Sequence, residues 1–129
     1  MQVLVLEPSY CPSLYYLAKT FLDDIELEPA AATLTRCISL KCEGVAPWDV
    51  YHLRGLVFFQ ENFMARACDD FSQAIALEDA SPLLNRSREK NFFYRGETKR
   101  CSGDFVGALA DYAIVENLSP KTINTAPYR

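Results

Sequence analysis

Histidine and glycine are scarce in this sequence, and the motifs of common catalytic sites are missing with them. Among 129 residues there are one histidine and five glycines. The strings GxxxxGKS/T, GxGxxG, HExxH and GxSxG do not occur, so a phosphate-binding loop, a dinucleotide site, a helical zinc site and a hydrolase nucleophile are not indicated. The sequence therefore predicts a protein that is not an enzyme, and it gives no reason to expect a cofactor.

Paired cysteines and long apolar runs are also missing. The five cysteines are an odd number and include no CxxC pair, which does not suit a disulfide framework. Cys37 and Cys42 alone are too few ligands for zinc, so no metal is expected. The run Val3–Leu6 is far shorter than a signal-peptide core or the roughly 20 residues of a membrane span. We expect a soluble protein of a reducing compartment, the cytoplasm or alternatively the nucleus.

The charge of the chain is small in total but unevenly distributed. There are 13 basic and 17 acidic residues, net −4, so neither nucleic acid nor an anionic membrane is indicated as a partner. Residues 1–80 hold 5 basic and 12 acidic side chains, net −7, whereas residues 81–129 hold 8 and 5, net +3. With 50% apolar residues, the chain can bury a core. These numbers favour one folded domain with electrically different halves.

A repeat with a period of 41 residues organises the second half of the chain. Displacing the sequence by that period superposes Arg54-Gly55 on Arg95-Gly96, Ala67 on Ala108, Asp70-Phe71 on Asp111-Tyr112, and Leu77 on Leu118. Within each copy, apolar and small residues recur at helical spacing. Each copy is therefore predicted to form two helices.

The pattern resembles that of the tetratricopeptide repeat (TPR) family, a 34-residue helical hairpin with small residues at positions 8, 20 and 27 and large ones at 11 and 24. With Gly55 at position 8, positions 11, 20, 24 and 27 hold Phe58, Ala67, Phe71 and Ala74. With Gly96 there, positions 15, 17, 20, 24 and 32 hold Gly103, Phe105, Ala108, Tyr112 and Pro120. A weaker copy has, at positions 8, 11, 20, 24 and 27, Ala18, Phe21, Ala30, Leu34 and Cys37. Small residues let the two helices approach closely.

This resemblance implies an all-α fold, a right-handed superhelical array of antiparallel helix hairpins, or TPR-like α-solenoid. We expect a single domain over residues 1–129, with repeats at about 11–44, 48–81 and 89–122 and a remnant of a preceding repeat at 1–8. Helices are predicted near 11–23, 28–41, 47–60, 63–78, 88–102 and 104–117, with Asp104 as an N-cap. The tail 121–129 lacks periodicity and is predicted to cap the last hairpin poorly.

The resemblance also implies a concave groove lined by the first helix of each hairpin. Carried over residue by residue, the groove contains Tyr15, Tyr16, Lys19, His52, Leu53, Leu56, Phe59, Lys90, Phe93, Tyr94, Glu97 and Arg100. Because these side chains are mainly aromatic and apolar, we expect a protein-binding adaptor or scaffold whose partner inserts an apolar peptide or helix. The alternative is a structural subunit of a larger helical-repeat assembly whose groove is filled internally.

A second predicted surface is basic. Six of the 13 cations lie within fifteen residues: Arg86, Arg88, Lys90, Arg95, Lys99 and Arg100. They form either a solvated helix face or a site for an acidic segment of a partner, which long-range attraction would guide to it. An RNA-binding helical repeat and an enzyme fragment are less favoured, because neither repeated base-reading side chains nor a catalytic motif is present.

Overall fold

A computed structural model describes residues 11–40, 44–80 and 88–118, and these residues form six α-helices and no strand. The helices are α1 Cys11–Asp23, α2 Leu27–Leu40, α3 Pro47–Gln60, α4 Met64–Asp79, α5 Arg88–Cys101 and α6 Phe105–Leu118. Their bounds lie within one residue of those predicted from the sequence. The predicted remnant at 1–8, Arg86 and the tail 121–129 lie outside the described residues.

The helices pack in chain order, each against the next. The pairs α1–α2, α3–α4 and α5–α6 form hairpins, and α2–α3 and α4–α5 pack between consecutive hairpins. Two further contacts, α1–α3 and α3–α5, bring the first helices of consecutive hairpins side by side. The all-α array of hairpins expected from the sequence is therefore confirmed.

The three hairpin loops have one conformation in common. Ile25, Asn62 and Gly103 each have a positive φ, of 59°, 71° and 92°. In every loop the next backbone N–H reaches back to a carbonyl five residues earlier, as from Asp104 to Lys99 at 2.8 Å. The predicted N-cap is also confirmed, since Asp104 Oδ1 accepts the backbone N–H of Gly107 at 2.9 Å. The repeat thus extends to backbone geometry, although only the third loop has the glycine that this conformation favours.

Close helix packing explains the repeated glycine. A Cβ atom on Gly55 would lie 2.8 Å from the ring of Phe71, and one on Gly96 would lie 2.9 Å from the ring of Tyr112. Alanines complete this packing: Ala18, Ala30, Ala67, Ala74 and Ala108 are all buried. The second and third hairpins therefore pair a small residue on the first helix with a large side chain on the second.

An arginine joins three helices at the centre of the array. Arg54 on α3 donates from Nε and Nη2 to the two carboxylate oxygens of Asp70 on α4, both at 2.8 Å. Its third nitrogen, Nη1, donates to Thr35 Oγ1 on α2 at 3.1 Å. The parallel pair of bonds is the strong, directional form of an arginine–carboxylate interaction. Arg54 therefore holds its own hairpin together and attaches it to the preceding one.

The same arrangement recurs 41 residues later. Arg95 on α5 donates to both oxygens of Asp111 on α6, at 2.9 and 2.8 Å, and from Nη1 to Ser72 Oγ on α4 at 3.1 Å. Lys99 Nζ adds a further ion pair to Asp111 at 3.2 Å. Asp111 is 1% exposed, so these cations compensate a buried negative charge.

Replacing Asp70 with alanine should destabilise the protein strongly, by about 3–5 kcal/mol, because the Arg54 guanidinium would lose its carboxylate in a largely buried position. The free energy of unfolding in urea measures this loss. Asp69→Ala is the matched control, since its neighbouring carboxylate is exposed and its removal should change stability by no more than about 0.5 kcal/mol. Equal effects of the two substitutions would contradict the role assigned to the pair.

Candidate protein-interaction groove

An open cavity of about 570 Å³ lies where α3 and α5 run side by side and α6 approaches them. Its lining consists of His52 and Leu56 on α3, Glu89, Lys90, Phe93 and Tyr94 on α5, and Val115 on α6. Residues four apart on one helix share a face, which places two side chains of α3 and two such pairs of α5 along the cavity. We call this cavity the groove.

Five of the lining residues were predicted from the sequence: His52, Leu56, Lys90, Phe93 and Tyr94. Glu89 and Val115 were not predicted. Val115 falls on position 27 of its repeat, where the family pattern places a small packing residue, and the equivalent Ala74 is buried. Glu89 lies four residues before Phe93, and that spacing was the available signal.

Tyr94 is the centre of an aromatic cluster, and its members His52, Phe93 and Tyr94 form an aromatic wall of the groove. Its ring stacks on Phe71 at 5.7 Å between centroids, and its edges meet His52 at 5.9 Å, Phe59 at 6.1 Å and Phe93 at 5.2 Å. Offset and edge-to-face pairs at such distances are mutually favourable. Because Phe71 is fully buried, it attaches this wall to the core.

A chain of polar side chains begins at the groove and continues into the core. His52 Nδ1 lies 2.7 Å from Asn91 Oδ1, and Asn91 Nδ2 donates to Glu78 Oε1 at 3.1 Å. Asn91 and Glu78 are buried, at 0% and 2% exposure. Burial lowers the pKa of His52; Asn91 and Asp49 oppose this effect, and Lys90 adds to it. His52 is therefore neutral at pH 7.

No protein-family model and no curated protein matches the sequence. Among solved structures, the chain is similar to MamA, with 22% identity and a TM-score of 0.79 over 92% of this chain and 64% of that one. It is also similar to MamA residues 41 to the end from Desulfovibrio magneticus RS-1, with 18% identity and a TM-score of 0.76 over 91% and 60%. The fold is a TPR-like solenoid. The chain spans less than two thirds of the length of either protein.

The lining of this cavity does not include the residues predicted for the first hairpin, Tyr15, Tyr16 and Lys19. Tyr15 and Tyr16 meet edge to face at 5.6 Å, and Lys19 Nζ lies 5.7 Å from both ring centroids. Burial, followed by the nearby charges of Asp49 and Tyr16, raises the pKa of Tyr15 to about 12. These residues form a separate cluster at the start of the array.

The lining of the groove also does not include four further predicted residues: Leu53, Phe59, Glu97 and Arg100. Leu53 is only 7% exposed and belongs to the core, in one cluster with buried residues of α1 and α2. Glu97 accepts hydrogen bonds from Arg100 Nη2 and Tyr112 Oη, at 2.7 and 2.5 Å, and these bonds lower its pKa. Glu97 and Arg100 therefore form a pair near the end of α5 and do not line the groove.

Most cations of the predicted basic surface are paired within the fold. Arg95 and Lys99 contact the buried Asp111, Arg88 contacts Asp79, and Arg100 contacts Glu97. Lys90, by contrast, is exposed at the rim of the groove. The surface charge here is consequently smaller than the sequence count suggested, because much of it compensates carboxylates of neighbouring helices.

An additional apolar surface lies on the outer side of α6. Phe105, Val106 and Leu109 are 62%, 81% and 67% exposed. Within the described ranges, no helix is both long and apolar enough to cross a membrane. This end face of the solenoid is thus an apolar surface separate from the groove.

The lowered pKa of His52 makes stability depend on pH. Since the unfolded side chain titrates near pH 6.5, the unfolded state binds more protons between that value and the lower pKa of the folded state. The contribution of His52 to stability should be constant above about pH 6.5 and should fall as pH decreases through this window. NMR titration of the single histidine, folded and in urea, measures both pKa values. A folded-state pKa equal to or above the unfolded one would contradict this assignment.

Proposed function

We propose that the chain belongs to the TPR family and acts as a non-catalytic interaction module, an adaptor or scaffold that binds an apolar peptide or helix of a partner protein in the groove. The observation that carries this proposal is the open cavity of about 570 Å³ with Phe93 40% exposed beside it. That volume is in the range of small-ligand sites and admits a few side chains of a guest. The resemblance between this fold and the TPR family supports the same function.

The groove offers a partner more than exposed apolar area. Its aromatic wall is fixed by stacking of Tyr94 on the buried Phe71, so little side-chain entropy remains to be lost on binding. Phe93, Leu56 and Val115 provide apolar contacts at the same site. A rigid aromatic surface of this kind is typical of residues that dominate binding energies.

The rim of the groove adds a means of selecting partners. The cationic Lys90 and the anionic Glu89 lie next to each other at its edge. An acidic residue flanking the apolar segment of a guest would be attracted by Lys90, whereas a basic one would favour Glu89. Such rim charges affect the association rate and specificity more than the affinity. Because Lys90 is exposed and Glu89 is half-buried, we propose an apolar segment with a nearby acidic residue as the preferred guest.

Replacing Phe93 with alanine should weaken binding about 30-fold, corresponding to about 2 kcal/mol, because an aromatic anchor at the groove would be lost. A random peptide library displayed on phage and selected on the wild-type protein supplies the probes, whose affinities are then measured by calorimetry.

Phe63→Ala is the matched control. Phe63 is similarly exposed, at 47% against 40% for Phe93, but it precedes α4 and does not line the groove. Its removal should leave the affinity of the selected peptides unchanged. Peptides that bind both variants as tightly as the wild type would show that the groove is not the site.

A second candidate function, a subunit in an assembly of copies, is favoured by a coordinated change at the two ends of the array. The contact between hairpins is polar inside the chain, where Arg54 donates to Thr35. At the position equivalent to Arg54, the first hairpin has Leu17, and at the position equivalent to Thr35, α6 has Ala113. Both members of the contact are thus apolar at the ends, as required if α1 of a second copy packs on α6.

Such a contact would also cover the apolar side chains on α6. Because it joins unlike ends of the chain, it has no intrinsic closure, and copies could continue to add.

Ala113→Glu should abolish self-association, because it would place a carboxylate in this apolar contact. Sedimentation at increasing concentration should show a rising mass for the wild type and a constant monomer mass for the variant. Ala76→Glu, at an exposed position of α4, should associate as the wild type does. A wild-type chain that stays monomeric throughout would overturn the proposed contact.

A further inference from the structure

The polar chain beneath the groove determines which nitrogen of His52 carries its proton. Asn91 Nδ2 donates to a carboxylate oxygen of Glu78, which orients the amide and turns Oδ1 towards His52. An amide oxygen has no hydrogen to give, so at 2.7 Å the bond requires a proton on His52 Nδ1. A neutral imidazole has one N–H, and Nε2 is then left with a free lone pair.

Three side chains of the fold contact the ring of His52. Phe71 and Tyr94 pack against His52 at 5.6 and 5.9 Å between centroids. Asn91 occupies the Nδ1 edge, and the side chain lines the groove. With Nδ1 engaged by Asn91, Nε2 is the nitrogen of the ring left to bond a guest in the groove.

Burial, more than the charged groups around the ring, keeps His52 neutral at physiological pH. Lys90 on α5 disfavours the imidazolium and Asp49 on α3 favours it. Glu78 on α4 bonds the amide nitrogen of Asn91, and Glu89 lies on the wall of the same groove. Burial is the largest effect and lowers the pKa. The Nε2 lone pair is consequently available at pH 7.

We propose that the guest of the groove is an aromatic side chain with a hydrogen-bond donor, a tryptophan or a tyrosine, which donates to Nε2 of His52. The inference rests on the proposed function of the groove and specifies its ligand. Leu56, Phe93, Tyr94 and Val115 supply apolar surface for the ring of the guest, and His52 supplies an acceptor at one point. A site with one fixed acceptor rejects a ring without a donor, because the acceptor would lose its water without compensation.

The tautomer is tested directly, because the chain has one histidine and its ring nitrogens give unambiguous NMR signals. In the ¹⁵N-labelled wild type at pH 7.5, we expect Nδ1 to have the shift of a protonated nitrogen and Nε2 that of an unprotonated one. The opposite assignment would overturn the inference and leave the proposed groove unaffected.

The donor requirement is tested with indole and 1-methylindole, which differ in the N–H group alone. Hydrophobic transfer of the added methyl would favour 1-methylindole by up to about fourfold. A hydrogen bond to Nε2 should reverse this order and make indole bind about fivefold more tightly. Titrations followed by NMR should show the largest shifts at His52, Phe93 and Tyr94.

Each outcome has a distinct meaning. Binding of 1-methylindole as tight as that of indole would overturn the donor requirement while supporting the groove. Absence of shifts at the groove with either compound would contradict both proposals. Below the pKa of the folded-state His52, Nε2 is protonated, and the preference for indole should disappear.

Discussion

The array depends on a guanidinium that bonds to three helices at once. Arg54 joins α3 to α4 through Asp70 and to α2 through Thr35, and Arg95 repeats this one hairpin later. A half-buried arginine is tolerable when its donors are satisfied, so each guanidinium requires a particular placement of the two helices that it bonds. The relative orientation of consecutive hairpins is thereby fixed by hydrogen-bond geometry as well as by apolar packing.

The packing of the same core determines the shape of the groove. Phe71 lies under Gly55, where a Cβ atom would clash with it, and its ring also supports Tyr94 and His52. Helices α3 and α5, which form the two sides of the groove, are both held by α4 through Arg54, Asp70 and Asn91. Packing that serves the fold therefore also makes the aromatic wall rigid, which suits a surface for capturing a guest.

The buried carboxylates of this protein connect neighbouring helices. Asp70, Glu78 and Asp111 are buried, and cations or amides of adjacent helices contact each of them. Each contact crosses between helices, so the charges specify which helices are neighbours. This accounts for a cluster of cations in α5 that contributes less free charge to the surface than its composition suggests.

The sequence by itself determined the helices, the hairpin repeat and the small residues between helices. These features depend on local spacing, since residues three and four apart share a helix face whatever the rest of the chain does. The repeat positions also assigned His52, Leu56 and Phe93 to one surface of the array, because equivalent positions of the first helices lie on the same side.

Only the tertiary structure decided which residues pack against each helix face. Asp70 is 16 residues from Arg54 and Asn91 is 39 from His52, so their pairing depends on how far each helix is rotated about its axis. That rotation also buried Leu53, separated Tyr15 and Tyr16 from the groove, and brought Val115 to it. Local periodicity specifies the face of a helix, but the neighbour of that face follows from the packing of all the helices together.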